Sequence, residues 1–382
     1  MVLGILKEIR EGEKRVSLNP QIAKQFIDKG FQVILEKSAG VASSYRDQDY
    51  EQVGAKVAAS KAELLQTCDL VIKINPPGLE EIKQAKSGLV WLSLLYHLTN
   101  TELIQAIAAA NQSAISMDAI PRISRAQSMD VLSSQSNLAG YKAVLLGADQ
   151  MTRAFPLMMT AAGTVSPAKV LIFGVGVAGL QAIATAKRLG AVVEATDVRA
   201  ETKEQAESLG AKFITVKDDG VKTEGGYAKE VTAEYLAKQK EAVNKSLFNA
   251  DLVITTALIP GKKAPLLISA EQVSKMKYGA VIVDMAAEQG GNCELTQDGK
   301  VIVEHGVKIV GINNLASSLA TNASELYAKN VFNLLMHLAT KDGFKNDREE
   351  EITKATLIVE NGKILRAVSY THLRAHETDS YL

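Results

Sequence analysis

The sequence predicts an α/β protein that contains two doubly wound domains with parallel sheets, joined by a long helix. Short apolar runs of strand length alternate with helical patterns in two separate stretches, which is typical of parallel sheets. At 382 residues the chain is long enough for two such domains. Only the second stretch carries a glycine-rich turn between a strand and a helix, within Val170–Arg199. We therefore expect the ligand on the second sheet.

The first stretch starts near the N-terminus and lacks a glycine motif. Asn19 and Pro20 indicate the start of its first helix, and Gly30 indicates the end. Apolar periodicity predicts the other elements. The expected strands are Leu3–Leu6, Gln32–Leu35, Leu70–Ile74, Val90–Leu94 and Ala114–Met117. The expected helices are Pro20–Lys29, Asp47–Val53, Lys61–Thr67 and Thr101–Asn111.

A different pattern separates the two stretches. Residues 122–160 have helical periodicity but are rich in uncharged polar groups, which predicts the long junction helix. Six strands are expected after it: Val170–Phe173, Val192–Thr196, Phe213–Val216, Leu252–Thr255, Val281–Asp284 and Lys308–Ile312. A helix at Ser317–Ala339 and a strand-like Thr356–Glu360 follow, and we expect this part to return to the first domain. The predicted domains are 1–125 with about 320–366, and 126–319; residues 367–382 are predicted to be a non-native tail.

The glycine-rich turn has the spacing of a dinucleotide-binding motif. Gly174 permits a tight turn, Gly176 lets backbone N–H groups approach a pyrophosphate, and Gly179 lets the helix pack on the strand. The helix that follows is expected at about Leu180–Leu189, and its positive N-terminal end then faces the phosphates. Asp197 follows the next strand and would accept hydrogen bonds from a ribose diol while it repels a 2′-phosphate. The sequence therefore predicts a Rossmann-like domain that binds NAD(H) in the cleft at the carboxyl ends of its strands.

Composition excludes several other classes of function. The 43 basic and 43 acidic residues balance, so no charge pattern indicates nucleic-acid binding. The two cysteines stand apart without a CxxC pair, which is typical of a reduced cytosolic protein. No window approaches the about 20 apolar residues that a membrane helix needs. No metal site is predicted.

Several segments together resemble one family. They are KEIREGEKRVSLNP, PRISRAQSMDVLSSQSNLAGYKAV, MMTAAGT, FGVGVAGLQAIATAKRLGA, TDVR, GGYAKE, TTALIPGKKAP and EQGGN. The chain is similar in these segments to the NAD(H)-binding component, domain I, of proton-translocating NAD(P) transhydrogenases, in the bacterial form where this component is a separate subunit. The resemblance runs to about Arg366. A more distant resemblance links the chain to alanine dehydrogenases, which share both domains.

The closer resemblance implies an enzyme that is active only with its partners. Transhydrogenases of this Si-type transfer a hydride directly between NADH and NADP⁺, with NADP(H) held on a separate domain. The implied partners are that NADP(H)-binding domain and a membrane domain, and a homodimer of this chain is expected. The chain is expected in the cytoplasm, peripheral to the inner membrane through its partner subunits.

The resemblance also implies the residues that contact NAD(H). They are Arg122, Ser124, Gln127, Asp130, Ser133, Gly174, Gly176, Val177, Ala178, Gly179, Asp197, Val198, Arg199, Gly226, Tyr227, Gln239 and Leu258. Gln127 is expected to align the nicotinamide and is the one residue with an implied catalytic role. If residues 126–140 are helical, Gln127, Asp130 and Ser133 form one polar stripe. Arg122 and Asp130 are expected to pair and hold the carboxamide.

Two of these interpretations have a structural alternative. The polar stripe is also compatible with a capped, solvated helix start. Gly225, Gly226 and Tyr227 lie in a long insertion before a charged helix at about 231–247. The Gly-Gly hinge with one aromatic residue predicts a mobile lid over bound nucleotide, and a flexible surface loop is the alternative.

The chemistry of the two relatives separates them. An amino-acid dehydrogenase moves a proton as well as a hydride, so it needs a positioned acid or base and a clamp for the substrate carboxylate. In alanine dehydrogenases these roles fall to a lysine, a histidine and an aspartate, and the matching positions here hold Asn75, His97 and Glu288. An amide cannot carry protons near neutral pH, whereas hydride transfer between two nicotinamides needs only close approach and orientation. The sequence therefore favours transhydrogenation, with an NAD sensor without chemistry as the alternative.

Overall fold

The computed structural model describes residues 1–199, 201–215, 233–259, 261–345 and 347–366. These residues form two compact units. Of the described residues, the first unit contains Met1–Gln135 and those from Ala316 to Arg366, and the second contains Ser136–Leu315. The sequence placed these boundaries after residue 125 and near residue 320. The predicted lid at Gly226 and Tyr227 and the predicted tail at 367–382 lie outside the described residues.

Strands supply the framework of both units. In chain order they are β1 Val2–Ile5, β2 Gln32–Leu35, β3 Lys56–Val57, β4 Leu70–Ile72, β5 Val90–Ser93, β6 Ser113–Ser116, β7 Met158–Thr160, β8 Gly163–Val165, β9 Lys169–Phe173, β10 Val192–Thr196, β11 Lys212–Phe213, β12 Leu252–Thr255, β13 Val281–Asp284, β14 Val301–Glu304, β15 Val307–Val310, β16 Ala339–Thr340, β17 Gly343–Phe344, β18 Leu357–Glu360 and β19 Lys363–Ile364.

Helices alternate with these strands. They are α1 Pro20–Asp28, α2 Asp47–Glu51, α3 Lys61–Thr67, α4 Leu79–Gln84, α5 Thr101–Ala109, α6 Val131–Gln150, α7 Val177–Arg188, α8 Thr202–Ser208, α9 Ala233–Asn249, α10 Ala270–Ser274, α11 Ala320–Leu338 and α12 Glu351–Thr356. Short 3₁₀ helices lie at Val41–Ser43, Met117–Ala119, Ser124–Met129, Ala287–Gln289 and Leu315–Leu319. Among the described helices none is both long and apolar enough to cross a membrane.

The first unit is built on an eight-stranded sheet with the order β19-β18-β6-β5-β4-β1-β2-β3. Strands β1 to β6 run parallel, and the direction of winding reverses between β1 and β4. The side chain of Asn19 accepts a hydrogen bond from the backbone N–H of Ile22 and caps α1, as predicted. The C-terminal part of the chain adds β18 antiparallel to β6, and α11 packs into the core. This C-terminal part therefore lies in the first unit.

The second unit is built on a seven-stranded sheet with the order β11-β10-β9-β12-β13-β15-β14. The predicted strands at β10, β12 and β13 are confirmed with the same bounds. The prediction of six strands is wrong by one, because β14 adds an antiparallel edge to β15. His305 and Gly306 between them both have positive φ, at 51° and 76°, as the tight turn of a hairpin requires. Strands β9, β12 and β13 are buried on both faces, which explains their continuous apolar runs.

The junction is shorter and more divided than the predicted helix over residues 122–160. A 3₁₀ helix covers Ser124–Met129, and α6 begins only at Val131 because the Asp130 side chain accepts a hydrogen bond from the Ser133 backbone N–H. Helix α6 ends at Gln150. The chain then forms the exposed β7–β8 hairpin, which the sequence did not predict.

Candidate functional site

The glycine-rich turn joins β9 to α7 in the second unit. Gly174 has a φ of +91°, which side chains rarely adopt. A Cβ added at Gly179 would lie 1.9 Å from the carbonyl oxygen of Gly174, so α7 can approach the turn only without a side chain there. A Cβ at Gly176 would meet no heavy atom within 4 Å, so the space beside the backbone is open. The tight turn at Gly174 and the close packing at Gly179 therefore agree with their predicted roles, and the pyrophosphate contact at Gly176 stays a prediction.

Neighbouring elements hold this turn from two sides. The hydroxyl of Thr256, at the end of β12, lies 3.1 Å from the carbonyl oxygens of both Phe173 and Gly174 and donates to them. On α6, a Cβ at Gly140 would lie 2.1 Å from the carbonyl oxygen of Ala178 in the first turn of α7. Gly140 was not among the predicted site residues. A glycine inside a long helix is the signal that could have identified this close helix packing.

Asp197 lies at the carboxyl end of β10, beside the turn. Its side chain is 5% exposed, and its Oδ2 accepts a hydrogen bond from the Val175 backbone N–H at 2.6 Å. Arg199 donates to the same carboxylate from its backbone N–H, its Nε and its Nη2, at 2.9, 3.0 and 2.9 Å. Burial alone would raise the pKa of Asp197, but these hydrogen bonds from Arg199 and Val175 hold it below its usual value. The carboxylate is therefore ionised and oriented, with Arg199 as its counterion.

Two loops follow β12 and β13 at the same edge of the sheet. Leu258 is 47% exposed, and the Asn292 side chain holds the preceding Ala257 through hydrogen bonds to its backbone N–H and carbonyl at 3.1 and 2.9 Å. The fully buried Asp284 accepts hydrogen bonds from the backbone N–H of Asn292 and the hydroxyl of Thr255. Sequence reasoning did not assign roles to Asp284 or Asn292. The signal that could have identified Asp284 is an acidic residue at the end of an apolar strand.

The segment at residues 122–133 belongs to the first unit. Arg122, Ser124 and Gln127 are exposed, whereas Ala126 and Met129 point into the core. The predicted single polar stripe is wrong, because Gln127 lies on the 3₁₀ helix and Ser133 on α6. The predicted pairing of Arg122 with Asp130 is also not seen. Both Asp130 oxygens instead accept from Ser133, at 3.0 Å from its N–H and 2.6 Å from its hydroxyl.

A second polar cluster lies at the carboxyl ends of β1 and β4. The side-chain amide of Asn75 donates to Glu8 at 3.1 Å and to Glu13 at 3.0 Å. Glu13 also accepts from the Arg15 guanidinium at 2.6 and 2.8 Å, and Arg15 donates to Gln135 at 2.8 Å. Burial raises the pKa of Glu8, whereas hydrogen bonds and charge from Arg15 overcome burial at Glu13 and lower its pKa to about 2. Arg15 is thus already bound to a carboxylate of its own chain.

His97 follows β5 in the same unit and is 7% exposed. Its Nδ1 has no hydrogen-bond partner among the described residues. Burial lowers the pKa of His97, and the charge of Asp118 opposes this effect. His97 is therefore present in this unit, whereas Asn75 stands at the position of the dehydrogenase lysine and Arg15 is bound to Glu13.

Comparison with known proteins places these features in one family. The model for the N-terminal domain of alanine dehydrogenase/PNT matches residues 4–139, and the model for the C-terminal domain matches residues 143–367. The chain belongs to the alanine dehydrogenase/PNT family. The two matches together cover nearly the whole chain, so the family extends to both units.

Within the alanine dehydrogenase/PNT family, the chain is more similar to transhydrogenase subunits than to alanine dehydrogenases. It is 52% identical over 375 residues to an NAD(P) transhydrogenase alpha subunit of Rhodospirillum rubrum, a match that covers 96% of this chain and 98% of that one. The crystal structure of transhydrogenase from Sinorhizobium meliloti matches with a TM-score of 0.88 and 45% identity, over 95% of this chain and 100% of that one. The alanine dehydrogenase of Bacillus subtilis is 29% identical over 373 residues, 95% of this chain and 92% of that one. The predicted resemblance and the two-domain α/β fold class are confirmed.

In this member of the alanine dehydrogenase/PNT family the predicted site residues fall into groups. The glycine turn, Val177, Ala178, Asp197, Val198 and Arg199 come together in the second unit, where Val198 is 56% exposed. The group from Arg122 to Ser133 lies in the first unit. Gln239 is half-buried on α9. Gly226 and Tyr227 lie outside the described residues.

Proposed function

We propose that this chain is the NAD(H)-binding component of a proton-translocating transhydrogenase. In that role it supports direct hydride transfer between its own NADH and NADP⁺ held on a partner domain. The observation that carries the proposal is the glycine turn with Asp197 beside it, in a chain whose Asn75 and Arg15 are bound to Glu8 and Glu13. Such a chain has a place for the nucleotide, and it holds an amide, Asn75, at the position where the dehydrogenases use a lysine.

The residues of the second unit fit a dinucleotide. The open space at Gly176 admits a pyrophosphate to backbone N–H groups of Val177 and Ala178 at the start of α7. The ionised carboxylate of Asp197 accepts hydrogen bonds from the adenosine ribose, beside Val198 and Arg199. We therefore assign nucleotide binding to this domain.

The nicotinamide end is assigned to the segment from Arg122 to Ser133 on the strength of the family resemblance. When bound, the reduced nicotinamide supplies the hydride. The exposed side chain of Gln127 orients the ring, with Arg122, Ser124, Asp130 and Ser133 as further contacts. Further contacts are proposed for Leu258, Gln239, Gly226 and Tyr227. No proton changes place at these residues, because hydride transfer between nicotinamides needs orientation and exclusion of water.

The partners follow from the same reasoning. We propose that an NADP(H)-binding domain docks on this chain, and that a membrane domain of the complex moves the protons and holds the chain at the membrane. We also propose that the chain is a homodimer. Light scattering at micromolar concentration should return twice the chain mass, and a monomer mass would contradict the dimer.

One experiment tests the central proposal. The protein is mixed with a purified NADP(H)-binding domain, NADPH and an acetylpyridine analogue of NAD, and reduction of the analogue is followed by absorbance. Turnover that needs both proteins supports the proposal. If the mixture is no faster than either component alone, although NADH binds, the chain is an NAD sensor without chemistry.

A further inference from the structure

Helix α11 carries two asparagines that bind the segment before α6. The side-chain amides of Asn330 and Asn333 each donate to the carbonyl oxygen of Ser128, both at 2.9 Å. Ser128 lies near the end of the 3₁₀ helix Ser124–Met129, where carbonyl groups lack partners within their own helix. The two asparagines therefore satisfy this end of the 3₁₀ helix from an element about two hundred residues away.

Asn330 also binds the element on the other side of Asp130. Its Oδ1 accepts a hydrogen bond at 2.7 Å from the hydroxyl of Ser134, which lies in the first turn of α6. The Ser134 hydroxyl lies farther from the carbonyl of Val131, at 3.1 Å. Asn330 is 7% exposed, so water competes little for these bonds. One buried side chain thus connects the 3₁₀ helix to α6.

This bridge spans a break in regular structure. Asp130 has a φ of −70° and a ψ of 94°, so the backbone leaves the helical conformation between the two elements. The side chain of Asp130 restrains the α6 side through Ser133. On the 3₁₀ side, Asn330 and Asn333 hold Ser128, the residue after Gln127. The orientation of Gln127 relative to α6 therefore depends on contacts with α11.

We propose that Asn330 is a positioning residue for hydride transfer, and that it acts by holding the turn that carries Gln127. The inference rests on the proposed function, because it takes Gln127 as the residue that aligns the nicotinamide. Misplacement of an aligned group by about 1 Å can slow a reaction by about a hundredfold. Binding of NADH depends chiefly on the phosphate and ribose contacts of the second unit, so it should be less affected.

The test compares three asparagines of the same helix. Asn330→Ala removes the bridge, Asn333→Ala removes one of the two bonds to Ser128, and Asn322→Ala is the control. Asn322 is exposed and donates to Glu325 on its own helix, at 3.1 Å. Each variant is titrated with NADH, and its rate of hydride transfer is measured with the NADP(H)-binding domain in single turnover.

We expect Asn330→Ala to slow hydride transfer about tenfold or more, while the Kd for NADH changes by less than about threefold. Asn333→Ala should have a smaller effect, and Asn322→Ala should behave as the unmodified protein. Loss of thermal stability is expected for any buried asparagine, so it does not decide between a positioning and a purely structural role. A rate for Asn330→Ala equal to that of Asn322→Ala overturns the proposal.

Coupling to Gln127 supplies the second measurement. If Asn330 acts through Gln127, then adding Asn330→Ala to Gln127→Ala should slow the reaction by less than about twofold further. An equal slowing in both backgrounds overturns the proposal. Should Asn330→Ala fail to fold, Ser134→Ala removes the bridge from its other end and should show a smaller effect with the same coupling. Absence of turnover in the unmodified protein overturns the proposed function, and this inference with it.

Discussion

Asp197 accepts several hydrogen bonds beside the glycine turn. Its carboxylate accepts from the Val175 N–H and from three donors of Arg199, so about four lone-pair sites are occupied. Arg199 also neutralises much of the charge that would repel a 2′-phosphate. A ribose diol can therefore bind Asp197 only by replacing hydrogen bonds from Arg199, and we expect repulsion of a 2′-phosphate to contribute less to nucleotide preference than the sequence suggested.

We expect Asp197→Ala to weaken NADH binding about tenfold to a hundredfold, since hydrogen bonds to a charged group contribute about 1.5–3 kcal/mol. The same change should narrow the difference between NADH and NADPH, because it leaves Arg199 without this carboxylate. Equilibrium titration with both nucleotides measures the effect. Asp149→Ala on the exposed side of α6 is the control. Unchanged affinity for NADH in the Asp197 variant would contradict the assignment.

Two glycines of the turn should respond differently to the same methyl group. Gly179→Ala places a Cβ 1.9 Å from the Gly174 carbonyl oxygen and should destabilise the protein by about 2 kcal/mol or more. Gly176→Ala meets no atom within 4 Å, so it should keep the melting temperature but weaken NADH binding. Thermal melts and NADH titration of both variants test this contrast. Equal loss of stability at the two positions would be incompatible with it.

Gln127 is expected to affect rate more than affinity. Gln127→Asn shortens the side chain by one methylene and keeps its amide, so it should slow hydride transfer about tenfold while the Kd for NADH changes little. The measurement is single-turnover transfer with the NADP(H)-binding domain beside an NADH titration. A proportional loss of affinity and rate would instead make Gln127 an ordinary binding contact.

At the scale of elements, the loops after β1 and β4 form a buried polar network. Asn75 donates to Glu8 and Glu13, and Glu13 binds Arg15, which reaches Gln135 on α6. Two loops and one helix of this unit are thus connected by groups that cannot be removed singly without leaving a buried charge. Because the pKa of Glu13 is lowered, the contribution of this network to stability can be measured as a function of pH.

The pKa of Glu13 lies at about 2 in the folded chain, against 4.5 in the absence of its partners. A lowered pKa stabilises the fold above pH 4.5, and this contribution is lost as the pH falls toward 2. The shift corresponds to about 3 kcal/mol. Glu13→Gln should therefore be less stable at neutral pH and lose less stability than the unmodified protein between pH 4.5 and about 2. Denaturant unfolding at several pH values measures this difference. Glu51→Gln, at an exposed residue of α2, is the control.

The predicted elements that agree with the structure are those fixed by contacts between residues close in sequence. Helix α3 and strands β2, β10, β12 and β13 have the predicted bounds, because caps and apolar runs act within a few residues. The junction helix was predicted too long, because the Asp130 cap and the β7–β8 hairpin interrupt it. Strand β14 was missed although its sequence VIVE is apolar, because the tight turn at His305 and Gly306 that pairs it with β15 was not recognised.

For the whole molecule, the bound state of Arg15 argues against an amino-acid dehydrogenase. Alanine and NAD at alkaline pH should yield no steady formation of NADH, because Asn75 cannot carry a proton and Glu13 holds Arg15. Asn75→Lys should be equally inactive, since it restores an amine but leaves Arg15 bound. Absorbance of NADH gives the measurement, and the same preparation must bind NADH in a separate titration. Turnover with alanine would refute the argument.

The sequence by itself determined the two alternations of strand and helix, the dinucleotide turn and the family. These properties depend on local chemistry: Gly174 at positive φ, Gly179 against the backbone, and Asp197 after the next strand. Only the tertiary structure decided that Asn330 bridges Ser128 to Ser134, and that Glu13 accepts hydrogen bonds from Arg15 and Asn75. Those partners are brought together by the packing of α11 and the order of the first sheet. A polar side chain in a sequence shows its capacity to bind, but its partner depends on which distant element the fold places beside it.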